Sequence, residues 1–230
     1  TNTLADASTV VVSGGTLDLG GNADTVAGVQ QTGGTIQNGT LTSTTAFDMQ
    51  AGTASANLAG AVGLDKTTAG TTTLSGTNTY TGTTTVSAGN LNLNSAGTAI
   101  AGNLTVAGGT ATLQAADQIA DGKNVVVTSG TLDVASFNDT VNGVQITGGT
   151  ITGTTGALTS TTAFDLQAGT VSAILGGTAG ANKTTAGTVT LSKTNTYTGA
   201  TTVSAGTLTL GHATNTLADA STVVVSGGTL

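Results

Sequence analysis

The sequence predicts an all-β fold, a three-sided parallel β-helix (β-solenoid) of about twelve coils. Three observations predict it: a glycine motif that recurs at a period near twenty, two apolar columns that flank the motif, and a complete lack of proline. The motif runs small residue, glycine, threonine, apolar residue. Its glycines are Gly15, Gly34, Gly52, Gly70, Gly89, Gly109, Gly130, Gly149, Gly169, Gly187, Gly206 and Gly228, spaced 18 to 22 positions apart. A fixed period of this length marks a stacked repeat, in which each coil buries its apolar side against its neighbours.

The columns around the glycine define the coil. The residue before it is always Gly, Ala or Ser, and the residue after it is Thr in every coil but one, where Asn90 stands. Two positions after it lie Leu17, Ile36, Leu91, Leu132, Ile151 and Leu208, among others. Three positions before it lie Val12, Met49, Val86, Val127, Ile146 and Leu166, with Thr67 and Thr184 in that place in two coils. The two columns are five residues apart, and on a straight strand an odd separation sends side chains to opposite faces. Both can face one core only if the small-Gly pair is a corner, where glycine accepts backbone angles that other residues resist. About 19 residues at ~3.3 Å each then supply three short strands and their corners. Alternating pairs such as Leu91 with Leu93 and Leu208 with Leu210 point inward. A proline in a middle coil would delete a ladder hydrogen bond, so its absence fits. The 36 glycines and a threonine content of about a quarter oppose helix. Periodicity alone does not set the handedness.

A longer repeat overlies the first. Residues 1–17, TNTLADASTVVVSGGTL, recur identically at 214–230, a shift of 213. Within that unit Val10–Val12 matches Val125–Val127 at a shift of 115, and TSTTAFD at 42–48 matches 159–165 at a shift of 117. The expected organisation is one continuous solenoid over 1–230. Residues 1–213 form a tandem unit with related halves at about 1–115 and 116–213, and 214–230 begin the next identical unit. Eleven coils at ~4.8 Å make such a unit roughly 50 Å long. The expected partner is therefore the chain itself, through end-to-end association or continuation into identical repeats.

Composition narrows the function. There is no cysteine, no tryptophan and no arginine, and the net charge is −7. That charge opposes binding to nucleic acid through its phosphates. No run approaches the ~20 apolar residues of a membrane helix, so no membrane contact is expected within this segment. Catalysis by paired carboxylates needs clustered acids. Here the aspartates are dispersed as repeat equivalents: Asp18 with Asp133, Asp24 with Asp139, Asp48 with Asp165. They read as turn and solubility residues. His212 stands alone and reads as an exposed loop residue. GGTLDLGGNAD at 14–24 lacks the spacing of calcium-binding solenoid repeats. No catalytic, cofactor-binding or metal-binding residue is nominated, and no cofactor. Phe47 and Phe164 read as core plugs. Tyr80 and Tyr197 are candidates for stacking on a ligand, since their hydroxyls need water or a partner. Asn78 and Asn195 are expected to satisfy turn backbone through their side chains.

Two stretches carry a specific resemblance. LSGTNTYTGTTTVSAGNL at 74–91 and LSKTNTYTGATTVSAGTL at 191–208 resemble the passenger-associated transport repeat of autotransporter adhesins. The first departs from the pattern at Asn90, the second at Lys193. The resemblance implies a right-handed parallel β-helix, exported by Gram-negative bacteria and displayed at the cell surface as a stalk or adhesin. The expected function is a non-catalytic structural and adhesive fibre, meeting a host, abiotic or glycan surface with many weak sites. The alternatives are an ice-binding threonine surface and a polysaccharide-cleaving β-helix enzyme.

Overall fold

A computed structural model describes residues 3–214, 216–219 and 221–230 of the chain. They are strand, corner and turn, without helix. The chain divides into two compact units, Thr1–Ala120 and Asp121–Leu230. Each is a parallel β-solenoid, and together they carry about 11 turns, ~19 residues apart.

The strands stack in three ladders, one on each face. On the first face of the first unit, Thr9–Val12, Gly28–Gln31, Phe47–Met49, Leu64–Lys66 and Thr84–Val86 stack in parallel. On the second face, residues 16–18 pair with 35–37, and Thr53 and Ala54 follow. On the third, residues 22–26 lie on 39–43, and Asn57–Ala59 on 40–42. The second unit repeats the plan. Its first face runs Asn124–Val127, Gly143–Ile146, Phe164–Leu166, Ala181–Lys183, Thr201–Val203 and Val223–Val225.

The two apolar columns meet in the core as expected. Met49, Val86, Val127, Ile146 and Leu166 are buried, and so are Ile36, Leu91, Leu132, Ile151 and Leu208. Leu17, in the first coil, is only half-buried. The corner between them is a glycine corner in most coils. Gly34 has φ +70, and a Cβ there would run into the Gly15 carbonyl of the preceding coil, so this position demands glycine on two counts.

One reading of the columns is corrected. Thr67 and Thr184 are exposed, and the inward place belongs to Lys66 and Lys183, both 0% exposed. Lys66 stacks under Val86, and Lys183 under Val203. The corners that follow these lysines hold one extra residue, and Gly70 and Gly187 do not take the left-handed conformation. A six-residue step between two inward positions keeps the strand alternation, so no glycine inversion is needed there.

Candidate functional site in the stapled coils and the outer faces

The motif TNTYTG lies on the third face, where it forms no regular strand. Thr79 and Tyr80 both donate their backbone N–H to Leu58 O, at 2.8 and 3.2 Å, and Thr81 donates to Gly60 O at 3.0 Å. The Leu58 N–H is met by a side chain instead. Asn78 Oδ1 accepts it at 2.8 Å, while Asn78 Nδ2 donates to Ala99 O at 2.8 Å in the coil above. Asn195 does the same, accepting from Leu175 N–H at 2.9 Å and donating to Thr216 O at 2.8 Å. Each asparagine thus staples three coils. A side-chain role toward backbone was expected; its reach into neighbouring coils was not.

Two residues on, the tyrosines turn into the core. Tyr80 and Tyr197 are 0% exposed, which overturns a ligand-stacking role. The Tyr80 hydroxyl lies 2.6 Å from Thr84 Oγ1, and its ring packs on Phe47 with centroids 6.0 Å apart. Phe164 and Tyr197 pack in the same way at 5.8 Å. The phenylalanines are core plugs, as read. Burial pushes both phenols above the ordinary tyrosine value, and the threonine hydroxyls only partly oppose it.

The buried lysines sit at the next corner. Lys66 Nζ donates to Thr68 O and, at 3.3 Å, to Ala88 O. Lys183 Nζ donates to Thr185 O and, at 3.3 Å, to Ala205 O. Burial pulls both ammonium groups below the ordinary lysine value, and Asp48 and Asp165 oppose that pull. A buried cation survives where carbonyls replace its water. Residues 64–66 and 181–183 did carry a signal for this, since Lys66 and Lys183 fall in phase with Leu64 and Ala181.

The aspartates divide. Asp18 is exposed and accepts hydrogen bonds from Gln37, the Gly20 N–H and Asn38, which together hold its carboxyl below the usual range. Asp24 is not a surface residue: it is 3% exposed. Burial pushes its carboxyl up, but hydrogen bonds from the Leu4 and Thr3 N–H groups and the Thr3 hydroxyl outweigh this and leave it lowered. Asp139 is likewise buried, at 1%. Asp48 and Asp65 are ladder partners on one outer face. Among the described residues no three His, Cys, Asp or Glu side chains gather as a metal site. His212 is exposed.

The long corners also shift the outer rows. Thr53 pairs with Thr73 rather than Thr71, and Thr170 with Thr190 rather than Thr188. The shift aligns Thr16, Thr35, Thr53 and Thr73 in one column, continued by Asn92 and Thr112. In the second unit the column is Thr131, Thr150, Thr170 and Thr190. The adjacent column begins with Asp18 and Gln37 in one unit and Asp133 and Thr152 in the other, so threonine does not fill a two-dimensional array.

The family model for the passenger-associated-transport-repeat matches the chain twice, at residues 64–93 and 182–210. Each match opens on a buried-lysine strand or within it, passes through the asparagine staple and the buried tyrosine, and ends in the second-face strand after the glycine corner. Fold and motif together define a parallel β-solenoid in which two stretches are similar to the passenger-associated-transport-repeat. No curated protein and no solved structure matches the chain.

Proposed function

We propose that this chain is a structural and adhesive segment of an extracellular or cell-surface fibre of a Gram-negative bacterium, without catalytic activity. The observation that carries this reading is the pair of passenger-type repeats, each built as a stapled coil within a solenoid. The chemistry of these motif residues is spent inside the protein: asparagine on backbone, tyrosine on threonine, lysine on carbonyls. What faces outward is mainly threonine, serine, asparagine, glutamine and aspartate, with single valines such as Val11 among them. Such a surface suits many weak contacts acting together.

Continuation into identical units belongs to the same proposal. Residues 222–225 repeat Thr9–Val12, and Thr9–Val12 carries Gly28–Gln31 as its next-coil partner. An identical unit would be accepted by the same pairing, at the ordinary ladder spacing of ~4.8 Å.

The test is display. The native protein, epitope-tagged between residues 121 and 123, is probed on intact Gram-negative cells by antibody labelling and external protease. Cell attachment to glass and to host cells is then compared with a strain lacking residues 1–213. Labelling from outside, with attachment reduced in the deletion strain, supports the proposal. A tag reached only after the cells are broken, or attachment unchanged by the deletion, rejects it.

A further inference from the structure

The first face carries a feature that recurs in both units. In the second unit, Gly143 stands where a Cβ would lie 3.0 Å from Asn124 Oδ1 and 3.0 Å from Thr162 Oγ1, in the coils on either side. The absent side chain leaves a surface notch of about 240 Å³, with Asn124, Val126, Gln145, Thr162 and Asp165 among its lining residues. Asp165 is fixed in place: the Gln145 and Gln167 amides both donate to its Oδ2, at 2.6 and 2.8 Å. Its Oδ1 is not buried, and no donor among the described residues reaches it.

The first unit repeats these residues 115 to 117 positions earlier, with Thr9 in the place of Asn124. A Cβ at Gly28 would lie 3.0 Å from Thr45 Oγ1 and 3.4 Å from Thr9 Oγ1. Asp48 Oδ2 accepts from Gln30 and Gln50, both at 2.8 Å. Beside it Val11 faces outward like its counterpart Val126, which is half-buried. Glycine, glutamine, threonine, aspartate and valine therefore recur together, although none of the outward ones is needed for the core.

We infer that each notch is a subsite for a neutral saccharide ring. A sugar hydroxyl can donate to the open carboxylate oxygen of Asp165 and accept the second amide proton of Gln145 at once, while Thr162 Oγ1, whose own proton goes to Asn142 O at 2.8 Å, can only accept. The valine methyls offer the C–H face of the ring an apolar contact. No cation stands on the lining of the Gly143 notch to hold an anion, and its one carboxylate with amide donors is a poor cage for a divalent metal. The notch is smaller than the ~300–1,000 Å³ pockets that enclose drug-sized ligands, so one ring is the unit bound. Two such subsites on one chain would add through avidity. This inference deepens the adhesive reading and rests on it.

The test is amide NMR on the 230-residue chain titrated with methyl α-glucopyranoside, methyl α-galactopyranoside and methyl α-mannopyranoside. With at least one of them, millimolar titration is expected to shift the Gly143, Gln145 and Asp165 amides together with those of Gly28, Gln30 and Asp48. Gly143→Val fills the notch at a position where only side-chain ends must yield, and should abolish the shifts at the second notch while leaving the first. Asp165→Asn should weaken binding there at least tenfold, with the far-UV spectrum unchanged. No shift with any of the three glycosides, or shifts that survive Gly143→Val, would overturn the inference. Cell attachment persisting without glycoside binding would sink this subsite and leave the adhesive proposal standing.

Discussion

The Tyr197 hydroxyl lies 2.8 Å from Thr201 Oγ1, four residues further along the chain and fully inside the core. One side chain ends the third face and the other begins the first, so the bond ties the two sides of a coil across its corner. The same pair recurs as Tyr80 and Thr84.

This pairing sets an alkaline limit. A phenol whose folded value is raised contributes stability that is present below its unfolded value and lost as pH climbs above it. Unfolded tyrosine ionises near ~10. Stability should therefore fall above pH ~10, and Tyr80→Phe with Tyr197→Phe should move that fall to higher pH. At neutral pH each substitution should cost about 1 kcal/mol for the lost hydrogen bond. Urea melts at several pH values read both effects, and an unchanged alkaline limit would contradict the assignment.

The lysines act in the opposite direction. Lys66 and Lys183 are held below the ordinary lysine value, so over the range between their folded value and 10.5 the unfolded chain binds more protons. Stability should rise with pH there. The double variant Lys66→Met and Lys183→Met should lose that rise, a comparison best made below pH 10, before the tyrosines respond.

Removing a staple should open one place. In Asn78→Ala the Leu58 N–H and the Ala99 carbonyl both lose a partner, and the orphaned donor alone costs about 1–3 kcal/mol. Hydrogen exchange should show the Leu58 amide unprotected. The Leu175 amide, which depends on Asn195, should keep its protection.

Inward and outward neighbours at one corner should differ sharply. Leu132→Ala should cost ~2–5 kcal/mol as a core truncation. Thr131→Ala, one residue earlier and facing out, should cost less than ~1 kcal/mol. Equal costs would mean that the strand register is wrong.

Much of this was legible because apolar residues announce their direction. Met49 and Ala54, or Leu166 and Val171, are five apart and both buried, and the glycine between them reveals the corner. Lys66 and Lys183 were not legible by the same rule: a charged residue reads as surface until its strand phase is compared with Leu64 and Ala181. Asp24 was hidden for a related reason, since its hydrogen-bond donors are the Thr3 and Leu4 N–H groups, and backbone donors leave no trace in composition. The notch at Gly143 needed coordinates, because it is made by the heights of side chains in neighbouring coils.

The corners with one extra residue have a consequence for how such a chain changes over generations. A single-residue insertion inside a strand flips every side chain beyond it, and selection removes it. At the corners after Lys66 and Lys183 the extra residue is absorbed, and the next strand resumes with Val189 or Leu74 still inward. The fold is thus a ruler with slack at its joints. Copying errors that land in a joint are survivable, and a lineage carrying this fold can lengthen, shorten and diversify its outer rows while the core keeps count.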